Sequence, residues 1–298
     1  MKIYDVIITG AGPAGISCAI QLKRYGINFL IFEKNKVGGL LLNANCVENY
    51  PGFPEGIEGE KLVEKFTKHL KFLKIKVKNQ EVVECDFDKK NRVFSVKTKN
   101  KEYFSKFLVI ASGTKPKKVK YKGIKRIPEK KIFYEVYNLK NLTFKEIAIV
   151  GAGDAAFDYA LNLSKKNRVY ILNRTEKIKS LPLLVERARR EKSIKYLDNT
   201  LIEELLWKDG KINVICKRKG NLLKLKTDFL LFATGRKPEL DFLSKGMEKN
   251  RRKLEKEGFL YLAGDVKRGI YRQTAISCGD GIISAMRIYE RIKNENNR

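Results

Sequence analysis

Apolar residues along this chain fall into two patterns. Short unbroken runs recur at Tyr4-Asp5-Val6-Ile7-Ile8-Thr9, Phe29-Leu30-Ile31-Phe32, Phe107-Leu108-Val109-Ile110, Ile147-Ala148-Ile149-Val150, Val169-Tyr170-Ile171-Leu172 and Phe229-Leu230-Leu231-Phe232. Runs this short, rich in branched and aromatic residues and bounded by glycine, predict strands buried on both faces. Residues 59–73 instead carry Leu62, Phe66, Leu70 and Leu73 on one helical stripe among lysines, with the single histidine, His69, off the stripe and expected at the surface. Alternation at 80–86 and 91–98 predicts an antiparallel hairpin or meander. Residues 181–192 read as a basic helix containing Arg187, Arg189 and Arg190, with strand-like pieces at 194–197, 211–216 and 222–226. Trp207, close to the Asp209-Gly210 turn, is expected to pack in a hairpin. A last strand, Phe259-Leu260-Tyr261-Leu262, precedes a long helix opening at Tyr271-Arg272-Gln273-Thr274 and carrying Ala275, Ile276, Ile282, Ile283, Met286 and Tyr289.

Two of the runs lead into the same chemistry. After Thr9 comes Gly10-Ala11-Gly12-Pro13-Ala14-Gly15, and the next strand ends on Glu33, 23 residues after Gly10. This is the dinucleotide fingerprint in its strand-turn-helix setting. Gly10 serves the tight turn, Gly12 lets backbone approach a pyrophosphate, Gly15 lets helix pack on strand, and Glu33 is placed for a ribose. The helix beginning near Pro13 directs unpaired N–H groups at the phosphates. The arrangement returns as Gly151-Ala152-Gly153-Asp154-Ala155-Ala156, with Ala156 at the third glycine position. Here the second strand ends on Asn173-Arg174-Thr175-Glu176-Lys177-Ile178-Lys179, without an acid at the strand end. Arg174 can accommodate a 2′-phosphate, which favours NADP(H) slightly over NAD(H). A degenerate second fold that binds no nucleotide is the alternative.

The fold class expected is α/β, with two Rossmann-like βαβ three-layer nucleotide-binding domains, the second inserted into the first. The boundaries are 1–114 for the first part of the first nucleotide-binding domain, 115–238 for the inserted nicotinamide-nucleotide domain, and 239–298 for the return. Between the motifs, Gly38-Gly39-Leu40-Leu41 is a flexible turn and residues 45–54, Asn45-Cys46-Val47-Glu48-Asn49-Tyr50-Pro51-Gly52-Phe53-Pro54, an ordered loop. Residues 115–131 are rich in lysine with scattered apolar positions. Ala263-Gly264-Asp265 delivers a carboxylate to a strand end, where it can orient a polar cofactor hydroxyl.

Composition alters this picture little. The five cysteines, Cys18, Cys46, Cys85, Cys216 and Cys278, are widely spaced and odd in number, so neither a disulfide framework nor a metal cluster is expected, and a reducing cytoplasm is. The chain begins directly on the first strand, leaving no room for a signal segment, and no apolar run reaches the length of a membrane span. The net charge of +29 would draw nucleic acid, anionic membrane or an acidic protein, but the basic residues are spread without a recognition motif. No specific nucleic acid is expected.

The layout resembles the low-molecular-weight thioredoxin reductase family and the related thioredoxin-reductase-like ferredoxin-NADP reductases. The matching pieces are the two glycine motifs, Gly38-Gly39, Val47-Glu48-Asn49-Tyr50-Pro51-Gly52, Ala263-Gly264-Asp265, Tyr271-Arg272-Gln273 and Gly279-Asp280-Gly281. The resemblance implies FAD along the first domain, with Gly10, Gly12, Pro13, Ala14 and Gly15 at its pyrophosphate. Glu33 and Lys34 would stand at the adenosine ribose, Gly39, Leu40, Ala111 and Gly113 along the cofactor, and Asn49 at the flavin region. Gly264 and Asp265 would hold the ribityl-phosphate portion, with Arg272, Gln273 and Thr274 near the ring. It implies NADP(H) or NAD(H) on Gly151, Gly153, Asp154, Ala155, Arg174, Lys179 and Gly235, hydride delivery to flavin N5, and a homodimer.

The departure from the family concerns its redox pair. The Cys-x-x-Cys followed by an acid, shortly before the second glycine motif, maps here to Tyr134 and Tyr137, with Asn138 after them. Tyrosine cannot replace a redox thiol, so no side chain is assigned a catalytic role and the flavin is the reacting centre. The expected enzyme passes electrons from NAD(P)H through FAD to an external acceptor such as ferredoxin or flavodoxin, a small acidic electron-transfer protein. The chain lacks the further C-terminal tail that such reductases place over the flavin. Alternatives are a flavin-binding regulatory or interaction protein with a nicotinamide-silent second domain, and an atypical thioredoxin reductase fed by another donor. Cys46 is expected to be inert, and Cys18 and Cys278 to pack inside helices.

Overall fold

The computed structural model describes residues 2–296. It divides into two compact units, the first comprising Met1–Leu42, Val47–Lys115 and Lys237–Arg298, the second Asn43–Cys46 and Pro116–Arg236. No described helix is long and apolar enough to cross a membrane.

The first unit opens with β1 (Ile3–Thr9), α1 (Pro13–Arg24), β2 (Phe29–Glu33), α2 (Gly59–Phe72), β3 (Val77–Asn79), β4 (Val82–Asp88), β5 (Val93–Thr98) and β6 (Glu102–Ile110). Strands β3, β2, β1 and β6 run parallel in that order, because the crossovers through α1 and α2 bring each strand back in the same direction. Strands β4, β5 and β6 form the meander. Val6, Ile7, Ile8, Phe107, Leu108, Val109 and Ile110 are almost completely shielded from solvent, as their unbroken apolar runs require. On α2, Leu62 and Leu70 are buried and His69 is exposed.

The chain crosses between the units along β7 (Thr114–Pro116); the second unit then holds β8 (Ile132–Phe133), β9 (Glu146–Val150), α3 (Asp154–Leu163), β10 (Arg168–Leu172), α4 (Pro182–Arg190), β11 (Ile194–Leu197), β12 (Thr200–Lys208), β13 (Lys211–Arg218), β14 (Asn221–Thr227) and β15 (Phe229–Phe232), and the chain crosses back along β16 (Arg236–Pro238). Its parallel sheet has the order β11-β10-β9-β15-β8, and β12-β13-β14 form a separate antiparallel sheet. Trp207 pairs across that sheet with Ile212.

The chain returns to the first unit with α5 (Lys245–Lys256), β17 (Leu260–Leu262) and α6 (Thr274–Asn296). β17 pairs with Leu108–Ile110 of β6, beyond the stretch of β6 that pairs with β5. Helix α6 lies against α1 so closely that a Cβ on Gly281 would stand 2.1 Å from the Ala14 carbonyl oxygen. Cys18 and Cys278 are buried in these two helices.

Three features differ from the sequence reading. Helix α5 was not expected, since in Lys245–Lys256 only Met247 and Leu254 are buried, seven positions apart on one face of an otherwise charged segment. Ser244 starts it by accepting from the Met247 amide at 3.0 Å. Helix α6 begins at Thr274 rather than Tyr271. The turn at Gly38-Gly39 continues as a 3₁₀ helix over Gly39–Asn43, not as a flexible loop.

Candidate functional site

In the first unit the site forms where the parallel order reverses, at the carboxyl ends of β1 and β6. The Gly10 amide donates to the Phe32 carbonyl at 2.8 Å, and the Ala111 amide donates to that of Thr9 at 2.8 Å. Gly10 has φ +100°, and a Cβ there would stand 2.3 Å from the Ala111 carbonyl oxygen. A Cβ on Gly15 would meet the Gly10 carbonyl oxygen at 1.9 Å. Gly12, by contrast, faces open space, with nothing within 4 Å of an added Cβ. It caps α1, and Pro13 follows. No side chain caps this end and no acid stands in the first turn, so the N–H groups of the α1 start are left for an anion.

Around this turn the chain gathers distant residues. Glu33 is buried; one of its carboxylate oxygens accepts from the Ala11 amide at 2.8 Å and the other from Asn35 at 2.9 Å. Lys34 pairs with Glu239 at 3.2 Å. The Gly38 amide donates to the Ala11 carbonyl at 2.8 Å, and a Cβ on Gly39 would lie 3.5 Å from the Gly12 Cα. Gly113 has φ +67° and open space at its Cβ position, while Leu40 is half-buried. Asn49 donates to the side-chain carbonyl of Gln273 at 2.9 Å, joining two expected ring-side residues from opposite ends of the chain.

The Ala263-Gly264-Asp265 turn is fixed by α6. Gly264 donates its amide to Asp280 at 3.1 Å, and Arg268 clamps the same carboxylate. Burial tends to raise the Asp280 carboxyl, but Arg268 and the Gly264 amide outweigh it and hold the group below the usual carboxylate range. Ser277 donates to Asp265 at 3.3 Å. Two polar atoms in this unit, Thr9 Oγ1 at the end of β1 and Arg272 Nε before α6, are buried without a hydrogen-bond partner. Gln273 is exposed and Thr274 half-buried.

The second unit repeats the glycine geometry. Gly151 has φ +131°, and a Cβ there would stand 2.5 Å from the Ala233 carbonyl oxygen, while Gly153 faces open space. Gly153 caps α3 without a side-chain hydrogen bond, and Ala156 is completely buried at the third position. Asp154 and Ala155, in the first turn of α3, are exposed. Asp154 accepts from the Leu181 amide at 2.8 Å, and Lys179 donates its amide to Ala152 at 3.0 Å, so residues 179–181 run beside the helix start. Asn173 is buried and donates to the Lys177 carbonyl at 3.1 Å and to the Tyr196 hydroxyl at 2.8 Å, holding a turn from which Arg174 projects into solvent. A neutral amide thus does the ordering where the first unit uses a carboxylate. Gly235, φ +106°, lies exposed after β15.

Residues 4–281 match the family model for pyridine nucleotide-disulphide oxidoreductases. The chain belongs to this family. It is 30% identical over 305 residues to a thioredoxin reductase of Bacillus subtilis, covering 98% of this chain and 96% of that relative. The structure of T. acidophilum thioredoxin reductase superposes with TM-score 0.86 at 27% identity, covering 98% of this chain and 99% of that one. Lactococcus lactis thioredoxin reductase shares the fold with TM-score 0.85 at 24% identity, with 98% and 99% covered. The chain is an FAD-dependent oxidoreductase of the thioredoxin reductase type, and its cofactors are FAD and NADP(H). The open cradle at Gly12, the uncapped start of α1 and the two orphaned polar atoms fit the first of these; the equivalent cradle at Gly153 fits the second.

At the family's redox-motif positions the side chains pack. Tyr134, half-buried, lies 5.7 Å from the Phe232 ring, centroid to centroid, against the core cluster that includes Ala148 and Leu230. Tyr137 is half-buried, its amide donates to Asn43 Oδ1 at 3.0 Å, and Lys140 sits over its ring at 5.7 Å. Asn138 is exposed.

Two residues near the second cradle escaped the sequence reading. Ser180 Oγ is buried without a partner between Lys179 and Leu181. Tyr121 stacks on Phe232 at 5.7 Å and 14°, close enough to Arg174 to feel its charge. No local signal marks either, because both come from irregular segments that only the folded sheet brings to the site.

Proposed function

We propose that this enzyme passes electrons from NADPH through FAD to an external acceptor protein of the ferredoxin or flavodoxin kind. The observation that carries this reading is the pairing of two intact, open glycine cradles with tyrosines at 134 and 137. No Cys-x-x-Cys occurs anywhere in the sequence, and none of the five cysteines is in a disulfide. An internal dithiol relay therefore has no atoms to run on.

FAD supplies acceptance of two electrons with one proton as hydride and their release to the acceptor. The chain's own residues supply binding and placement. Gly12 and the α1 N–H groups hold the pyrophosphate, Glu33 receives a ribose hydroxyl, and Asp265, kept in position by Asp280 and Arg268, orients the polar linker. Asn49, Gln273 and Arg272 line the ring. In the second unit Gly153 and α3 receive the dinucleotide, and Arg174 and Lys179 bring positive charge for a 2′-phosphate. The domain division at residues 115 and 238, and a homodimer built as in the family, belong to the same reading.

The test is anaerobic stopped-flow absorbance of holoprotein mixed with NADPH or NADH, then with ferredoxin, flavodoxin or oxidised thioredoxin. The expected result is rapid flavin bleaching by NADPH and reoxidation by ferredoxin or flavodoxin. Reoxidation by thioredoxin alone, or flavin that stays oxidised with both nicotinamides, overturns it.

A further inference from the structure

Phe144 is out of place by every intramolecular measure. It is 93% exposed. Its backbone has φ +57°, in the left-handed region where the other non-glycine residues of this chain, among those described, are Lys74, Arg92, Asn199, Asp209 and Lys219, all polar. A bulky aromatic there is strained and here gains no burial in return.

The turn that presents it is nevertheless firmly built. The Phe144 amide donates to the Lys166 carbonyl at 2.8 Å, and the Arg168 amide to that of Lys145 at 2.9 Å. Behind them the buried Asn167 accepts from the Lys145 amide at 3.0 Å and donates to the carbonyls of Leu142 at 2.9 Å and Leu163 at 3.0 Å. An aromatic ring is thus held out on a fixed pedestal, the arrangement of a preorganised binding anchor.

The pedestal is basic. Lys145, Lys165, Lys166 and Arg168 belong to its two strands of turn, and Lys140 leads from it to the Tyr137 ring. The acids beside them are Glu146, 3.5 Å from Arg168, Asp158, which accepts from the Asn45 amide at 3.0 Å, and Asp228, which accepts from the Glu146 amide at 2.8 Å and pairs with Lys211, so the cations of the turn outnumber them. A collar of this sign selects an acidic partner, and one protruding ring at its centre suits a protein with an apolar pocket better than a polyanion backbone, which a ring contacts only through exposed bases.

We propose that Phe144 and its lysine collar are the docking anchor for the small acidic protein that accepts electrons from this enzyme. This rests on the reading of the enzyme as a reductase with an external protein acceptor. Phe144→Gly tests it, because glycine suits φ +57° and removes the ring without disturbing the turn. In the holoenzyme the variant should melt no lower than the parent and reduce ferricyanide with NADPH at the same rate. Its KM for ferredoxin or flavodoxin, or their Kd by calorimetry, should rise at least about fivefold, as for loss of an interface anchor. Phe144→Tyr should restore it, and parent affinity should fall as salt rises.

Unchanged KM and Kd in Phe144→Gly overturn the proposal. So does the absence of binding or reduction of either protein while NADPH still bleaches the flavin. Loss of single-stranded DNA binding or of dimerisation in the variant, with acceptor affinity intact, also overturns it by naming another occupant. If NADPH fails to bleach the flavin, the functional reading falls, while the calorimetric comparison still decides whether Phe144 binds an acidic protein.

Discussion

A Cβ placed on Gly151 would stand 2.5 Å from the carbonyl oxygen of Ala233, whereas one on Gly153, two residues later, would meet nothing within 4 Å. The two glycines of one motif therefore have different physical tasks. Gly151→Ala should destabilise the second unit by about 1–3 kcal/mol, since φ +131° and the Ala233 carbonyl both oppose a side chain. Gly153→Val should leave the melting temperature nearly unchanged and abolish NADPH-dependent flavin bleaching. Thermal melts and stopped-flow absorbance on both variants check this.

The same contrast holds for FAD. A Cβ on Gly12 meets nothing within 4 Å, so Gly12→Val should fold yet purify without flavin, read as the ratio of visible to protein absorbance. Gly10→Ala should instead lower stability, because its Cβ would clash with Ala111 at φ +100°.

Arg174 stands free of the ordered Asn173 turn and faces solvent. A charge-assisted contact to a 2′-phosphate contributes about 1.5–3 kcal/mol, so Arg174→Ala should raise the KM for NADPH roughly 10- to 100-fold. The KM for NADH should not move, which steady-state kinetics with both nucleotides will show.

Tyr134 is half-buried and packs on Phe232 at the edge of a core cluster. Tyr134→Ala should cost roughly 1–3 kcal/mol of stability through the void it leaves. Tyr134→Phe should preserve both stability and the rate of flavin reduction, measured by denaturant unfolding and stopped flow, since no redox step passes through this side chain.

Asp158 gives the second unit a pH signature. Burial pushes its carboxyl from 3.8 up to about 6, against the Asn45 and Cys46 amides and the charges of Lys140 and Lys165. Between those two values the folded chain binds more protons than the unfolded chain, so this group's contribution to stability falls as pH rises from about 4 to about 6. Asp158→Asn removes the dependence. The melting temperature of the variant minus that of the parent should climb over this interval and level off above it.

Much of the site was legible because its chemistry is local. The runs at 4–9 and 146–150, each followed at once by Gly-x-Gly, specify strand, turn and helix through contacts a few residues apart, and Glu33 ends the next strand of the first motif while Asn173 directly follows that of the second. Helix α5 was not legible, because Met247 and Leu254 are too few to make a stripe and become informative only once β4 and β17 pack beside them. Ser180 and Tyr121 were missed for a related reason, as neither belongs to a periodic element.

The sequence by itself determined two dinucleotide folds, the missing thiol pair, and the reversal of charge between Glu33 and Arg174, since each depends on residue type and short spacing. Only the tertiary structure decided that Tyr134 is core packing, that Asn49 meets Gln273, that Asp280 and Arg268 fix the turn of Asp265, and that Phe144 protrudes on a strained but anchored turn. Those relationships join segments far apart in the chain, and burial and backbone conformation at each depend on which elements close around it.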